Sequence, residues 1–74
     1  MDNYHLLYKD DQWKFTKEGS EKSIRNFETK DAAMSFGIDY MNNHGGSFKI
    51  HKQDGRFQEE RTYPGSADPH KSKG

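Results

Sequence analysis

The sequence predicts an α+β domain in which two β-hairpins flank one helix, ββαββ, with the helix lying across one face of an antiparallel sheet. Three observations predict it. Residues 29–46 repeat apolar side chains at three- and four-residue steps. The segments on either side alternate apolar and polar residues with a period of two. Tight-turn signals, Asp10-Asp11 and Asp54-Gly55, stand between successive alternating segments.

The first strand is Asn3–Lys9, with Tyr4, Leu6 and Tyr8 on one face and His5, Leu7 and Lys9 on the other. Asp10-Asp11 turns the chain into Gln12–Lys17, whose Trp13 and Phe15 share a face. Residues 18–22 are polar and read as a loop. Ser23–Phe27 carries only Ile24 and Phe27 as apolar residues, so it reads either as a short third strand or as an extended lead-in to the helix.

Thr29 suits the helix N-cap, and Asp31 places negative charge in the first turn. Ala33, Phe36, Gly37, Tyr40 and Met41 form the apolar stripe; Asn42, Asn43, Gly45 and Gly46 supply a C-terminal stop. Gly37 disfavours the helix by about 1 kcal/mol relative to alanine, which a close helix–sheet approach would explain. Residues 47–52 alternate again with Phe48 and Ile50 inward. Gln53-Asp54-Gly55 turns the chain, and residues 56–63 return with Phe57 in phase with the core. Residues 64–74 have no apolar periodicity and are expected to be a disordered tail, leaving 1–63 as one domain. The expected core joins Tyr4, Leu6, Tyr8, Trp13, Phe15, Phe48, Ile50 and Phe57 to Ala33, Phe36, Tyr40 and Met41.

A chain of 74 residues with 28% hydrophobic residues and a mean hydropathy of −1.36 has little material for a core. Its 14% aromatic content offsets this, since aromatic rings bury more area per residue than the absent valine would. With no cysteine, neither a disulfide nor a thiolate metal site can add stability, and self-association is the remaining common device. Lys plus Arg balances Asp plus Glu at 12 each, against the basic excess usual in nucleic-acid binders. There is no apolar run long enough for a membrane span and no signal-peptide pattern, so a cytoplasmic setting is expected.

The residues also resemble a known family. Tyr4-His5, the Trp13 strand, Phe27-Glu28-Thr29 ahead of an alanine-containing helix, the run from His51 through Asp54-Gly55 to Gln58-Glu59-Glu60, and Thr62-Tyr63 are similar to a small bacterial family catalogued as domain of unknown function 2188. The resemblance covers roughly residues 3–69. The sequence departs from it in having Leu6-Leu7 in place of valines and Phe57 in place of isoleucine, exchanges a core accepts. The resemblance implies a bacterial or phage origin and a two-hairpin domain. It carries no activity, so it transfers no functional residue.

No residues stand in a catalytic pattern, and no cofactor is expected. His5, His44, His51 and His70 form no short ligand pair and are read as structural or solvated, not as a metal site. His51 with Asp54 could mimic an acid–base pair, but Asp54 is explained as a turn residue. Glu59 and Glu60 are adjacent on a strand, point to opposite faces and cannot act together. The more informative surface is the sheet face away from the helix. Alternation gives it His5, Leu7, Lys9, Lys14, Thr16, Lys49, His51 and Arg56, with Gln58 and Glu60 toward one end. The candidate binding face is therefore His5, Leu7, Lys14, Lys49, His51 and Arg56. The expected function is a non-enzymatic binding module that engages a protein partner or a second copy of itself. The alternative is a weak nucleic-acid binder using Lys14, Lys49 and Arg56 on phosphates; its aromatics fall on the helix side and are not free to stack on bases.

Overall fold

The computed structural model describes residues 2–64. The strands are β1 (Asn3–Lys9), β2 (Gln12–Lys17), β3 (Ser23–Phe27), β4 (Gly46–His51) and β5 (Phe57–Tyr63), with helix α1 (Lys30–His44) between β3 and β4. The tail expected over residues 64–74 lies, beyond Pro64, outside the described residues.

The sheet has five strands in the order β3-β2-β1-β4-β5. It is mixed rather than antiparallel, because β1 and β4 pair in parallel while the other three neighbours are antiparallel. The reason lies in the stretch left open between strand and lead-in. Ser23–Phe27 is a third strand, so the chain has reversed twice before the helix carries it back across the sheet. An odd number of strands followed by a returning helix leaves β4 running the same way as β1. The two hairpins therefore meet through their first strands.

Local chemistry explains the connections. Asp10 and Asp11 hold φ of 55° and 63°, the left-handed pair that a two-residue hairpin loop between Lys9 and Gln12 requires. The Thr29 hydroxyl accepts from the Ala32 N–H at 3.1 Å, and the Gly45 N–H closes the helix on the Met41 carbonyl at 2.8 Å. Gly46 permits a close approach that a side chain would block: a Cβ there would lie 2.5 Å from the Asp2 carbonyl oxygen, which accepts the Ser47 N–H. Between β4 and β5 the Lys52 N–H donates to the Arg56 carbonyl, and the Asp54 carboxylate accepts the Arg56 N–H at 3.0 Å.

The core lies between α1 and one sheet face. Tyr4, Leu6, Trp13, Phe15, Ala33, Met41, Phe48 and Ile50 are buried. Phe15 is the hub, with ring centroids 5.1–5.6 Å from those of Tyr4, Phe36, Tyr40 and Phe48. Phe36, Tyr40 and Tyr8 pack at its margin. Gly37 sits over Phe48, where an added Cβ would come within 2.6 Å of the ring, so the helix approaches closely at its glycine. One expected core residue is misplaced. Phe57 is 55% exposed, because a register shift between Ile50 and His51 puts Phe57 opposite His51, while Glu59 stands opposite Ile50. The extra residue, Gln58, puts Phe57 on the outer face.

Candidate functional site

The face of the sheet that α1 leaves bare is built from alternate residues of the central strands. Register sets His5 opposite Thr16 on β2 and opposite Lys49 on β4, and sets Leu7 opposite Lys14. His51 and Phe57 are partners across the β4–β5 pair, their rings edge to face at a centroid distance of 5.9 Å. Five of the six residues read from the sequence for this face, His5, Leu7, Lys14, Lys49 and His51, therefore stand on it. Arg56 does not. It lies in the turn before β5, its side chain 80% exposed and turned back on the Asp54 carboxylate at 3.4 Å. Gln58 also leaves the face, since the bulge turns it to the helix side, where its side-chain oxygen accepts from the Lys30 ammonium.

The polar groups on this face are engaged with one another. His5 Nδ1 lies 3.1 Å from His51 Nε2, and His5 Nε2 lies 2.8 Å from Glu18 Oε1. The Lys49 ammonium is 3.9 Å from the same Glu18 oxygen, and the Lys14 ammonium is 3.8 Å from the Asp10 carboxylate. Glu60, opposite Lys49, accepts the Ser47 hydroxyl. At its centre the face is thus not the free basic patch that Lys14 and Lys49 suggest in the sequence.

Burial holds the His51 imidazole below its ordinary range, reinforced by the charge of His5 and then of Lys49; the nearby Gly55 backbone acts in the opposite direction without closing a hydrogen bond. The hydrogen bond from His5 holds the Glu18 carboxyl below the usual range, and the Lys49 charge acts in the same direction. His51 Nδ1 is buried without a hydrogen-bond partner among the described residues.

Glu18, in the loop after β2, is the principal side chain of the face that alternation within the strands does not include. Its signal was present: it continues the even-numbered phase of Lys14 and Thr16 by one more step. Phe57 had no such signal, because a bulge is invisible to strict alternation. His5, Glu18 and His51 also line a groove of about 380 Å³ with Leu7, Thr16, Lys17, Gly19 and Ser20. Ser20 donates its hydroxyl to the Lys22 carbonyl at 3.1 Å, not to an imidazole. A larger concavity of about 650 Å³ lies at the C-terminal end of α1, lined by Asp2, His44, Gly45, Gly46, Thr62, Tyr63 and Pro64. Among the described residues no three His, Cys, Asp or Glu side chains converge at metal-binding spacing, and no helix is long and apolar enough to cross a membrane.

Fold and face together define a small α+β domain with one sheet face covered by the helix and the other left bare among the described residues. The chain belongs to a bacterial family: the profile of the uncharacterised protein conserved in bacteria, domain of unknown function 2188, matches residues 4–63. No curated protein and no solved structure matches it.

Proposed function

We propose that the chain is a non-catalytic binding module whose bare sheet face engages protein, with a second copy of the chain as the occupant. The observation that carries this reading is the state of that face: its central lysines, Lys14 and Lys49, are already paired with acids, while Leu7 and the Phe57 ring are left for apolar contact. A partner offering a run of phosphates gains little from Lys14 and Lys49 when Asp10 and Glu18 compete for them. Zero net charge means that two copies meet without long-range repulsion. β3 and β5 each end the sheet and leave one side of their ladder for pairing. His5 is held between His51 and Glu18, and the nearby Ser20 hydroxyl donates to the Lys22 carbonyl and not to an imidazole, which supports binding over chemistry.

Light scattering over a concentration series is the test. The apparent mass is expected to rise toward twice that of the chain, and Phe57→Asp to hold it at the monomer with an unchanged circular dichroism spectrum. A wild-type monomer at every concentration would remove the second copy as occupant. Retention on DNA or RNA at low salt, lost steeply as salt rises and abolished by Lys14→Glu with Lys49→Glu, would favour nucleic acid instead.

A further inference from the structure

His5 and His51 are separated by 46 positions in the chain and are brought together only by the parallel pairing of β1 with β4. A neutral imidazole has one N–H and one lone pair, and a carboxylate only accepts. Glu18 therefore requires the proton of His5 on Nε2. With His5 neutral, its Nδ1 is a lone pair, and His51 must donate from Nε2 to hold the 3.1 Å contact. That leaves His51 Nδ1 as a lone pair, and this buried atom has no hydrogen-bond partner among the described residues.

One added proton resolves the arrangement. Placed on His51 Nδ1, beside the Gly55 backbone, it gives the two rings three N–H groups in all. The proton in the shared contact can then belong to either ring, and the charge lies next to Glu18. A second added proton would set N–H against N–H across 3.1 Å and break the contact. Proton capacity is thus limited by geometry, not by the ordinary affinity of two histidines.

We propose that Glu18, His5 and His51 form a one-proton relay on the bare face, taking up a single proton as pH falls and excluding a second while the His5–His51 contact persists. The charged groups facing it define the outcome. From the end of β2 come Glu18 and Lys17, the latter paired with Asp2 at 3.8 Å; from β4 comes Lys49, paired with Glu18. From β5 come the uncharged Phe57 ring and Glu60, held by Ser47; Asp54 and Arg56 in the preceding turn pair with each other. Glu18 and Lys49 cancel, so the relay takes the centre of the face from neutral to a single positive charge. The low proton affinity of His51, set by burial and by the charge of His5, agrees with exclusion of the second proton.

The consequence for assembly rests on the self-association proposed above. Two copies meeting on this face would each bring the added charge, so the dimer would loosen on the acid side of the step. Histidine ring NMR on the full chain, from about pH 8 to about pH 4.5, tests the relay directly. Both rings are expected to move together in one first step, with a second step more than about one pH unit lower. In His5→Gln and His51→Gln the remaining histidine of the pair should titrate in one step. Two independent single-proton curves in the wild type, each unmoved by replacing the other ring, would overturn the relay. Light scattering on both sides of the step separates the two ideas: coupled titration in a chain that stays monomeric keeps the relay and removes the self-association reading.

Discussion

The two faces of the sheet are made by the same strands, yet they behave as different materials. On the face under α1, Tyr4, Leu6, Phe15, Phe48 and Ile50 are at most 3% exposed, and they meet Ala33, Gly37 and Met41 without a charged side chain among them. On the other face, one residue along each strand, His5, Lys14, Lys49 and His51 stay partly solvated; the two lysines pair with acids, and His5 bridges His51 and Glu18. Covering makes the difference. Where a helix excludes water, aromatic area supplies stability; where it does not, the same backbone displays titratable groups whose states depend on solvent.

The sharpest way to break this contrast is to shorten one aromatic ring on each face. Phe15→Ala removes the hub of four ring contacts and should destabilise the fold by about 3–5 kcal/mol, comparable with the whole net stability of a domain this small. Urea titration at low protein concentration should show no cooperative transition. Phe57→Ala, on the bare face, should change the same midpoint by no more than about 0.5 kcal/mol. Equal losses from both would mean that Phe57 is not solvent-facing. High pH should next single out the covered face. Burial, with the neighbouring Tyr40 adding to it, pushes the Tyr4 phenol up to about 12. Its unfolded value is about 10, so above that the unfolded chain releases a proton the native chain retains, and stability falls between about pH 10 and about pH 12. The loss should not exceed about 3 kcal/mol, and Tyr4→Phe should flatten this alkaline limb.

The covered face was the more legible of the two in the sequence. Tyr4, Leu6, Trp13, Phe15, Phe48 and Ile50 follow from alternation alone, and Thr29 and Gly45 from capping chemistry, because each depends on neighbours close in sequence. What local pattern could not give was parity and register. The parallel β1–β4 pairing depends on whether Ser23–Phe27 is a strand, and its two apolar residues do not decide that. The misplacement of Phe57 depends on one bulged residue. The His5–His51 contact inherits the first difficulty: each histidine was placed on the right face, but their adjacency exists only once β1 and β4 are neighbours. Glu18 was one alternation step from being found.

Between the faces lies the helix–sheet seam, which Gly37→Ala probes. Alanine improves helix propensity by about 1 kcal/mol. Its Cβ, however, would come 2.6 Å and 2.9 Å from two atoms of the buried Phe48 ring. Overpacking of this kind costs about 1–3 kcal/mol, so the variant should be less stable by up to about 2 kcal/mol. A more stable variant would mean that the ring can yield and that the seam is looser than its spacing implies.

The smallest expected effect belongs to the bare face and has the opposite pH sign to Tyr4. The native His51 imidazole binds its proton less readily than the unfolded one, and native Glu18 likewise holds its proton less readily than when unfolded. In both windows the unfolded chain binds more protons, so stability decreases as pH falls: first from about 6.5 downward for His51, then from about 4.5 downward for Glu18. Urea midpoints measured at about pH 7.5 and about pH 5.5 should therefore differ in the wild type and differ less in His51→Gln, which has no imidazole to charge. Glu18→Gln should leave most of that upper-window difference in place, because burial is the first cause of the His51 shift. If His51→Gln keeps the full acid loss, the sensitivity lies elsewhere in the chain, and the bare face is not where acid acts on this fold.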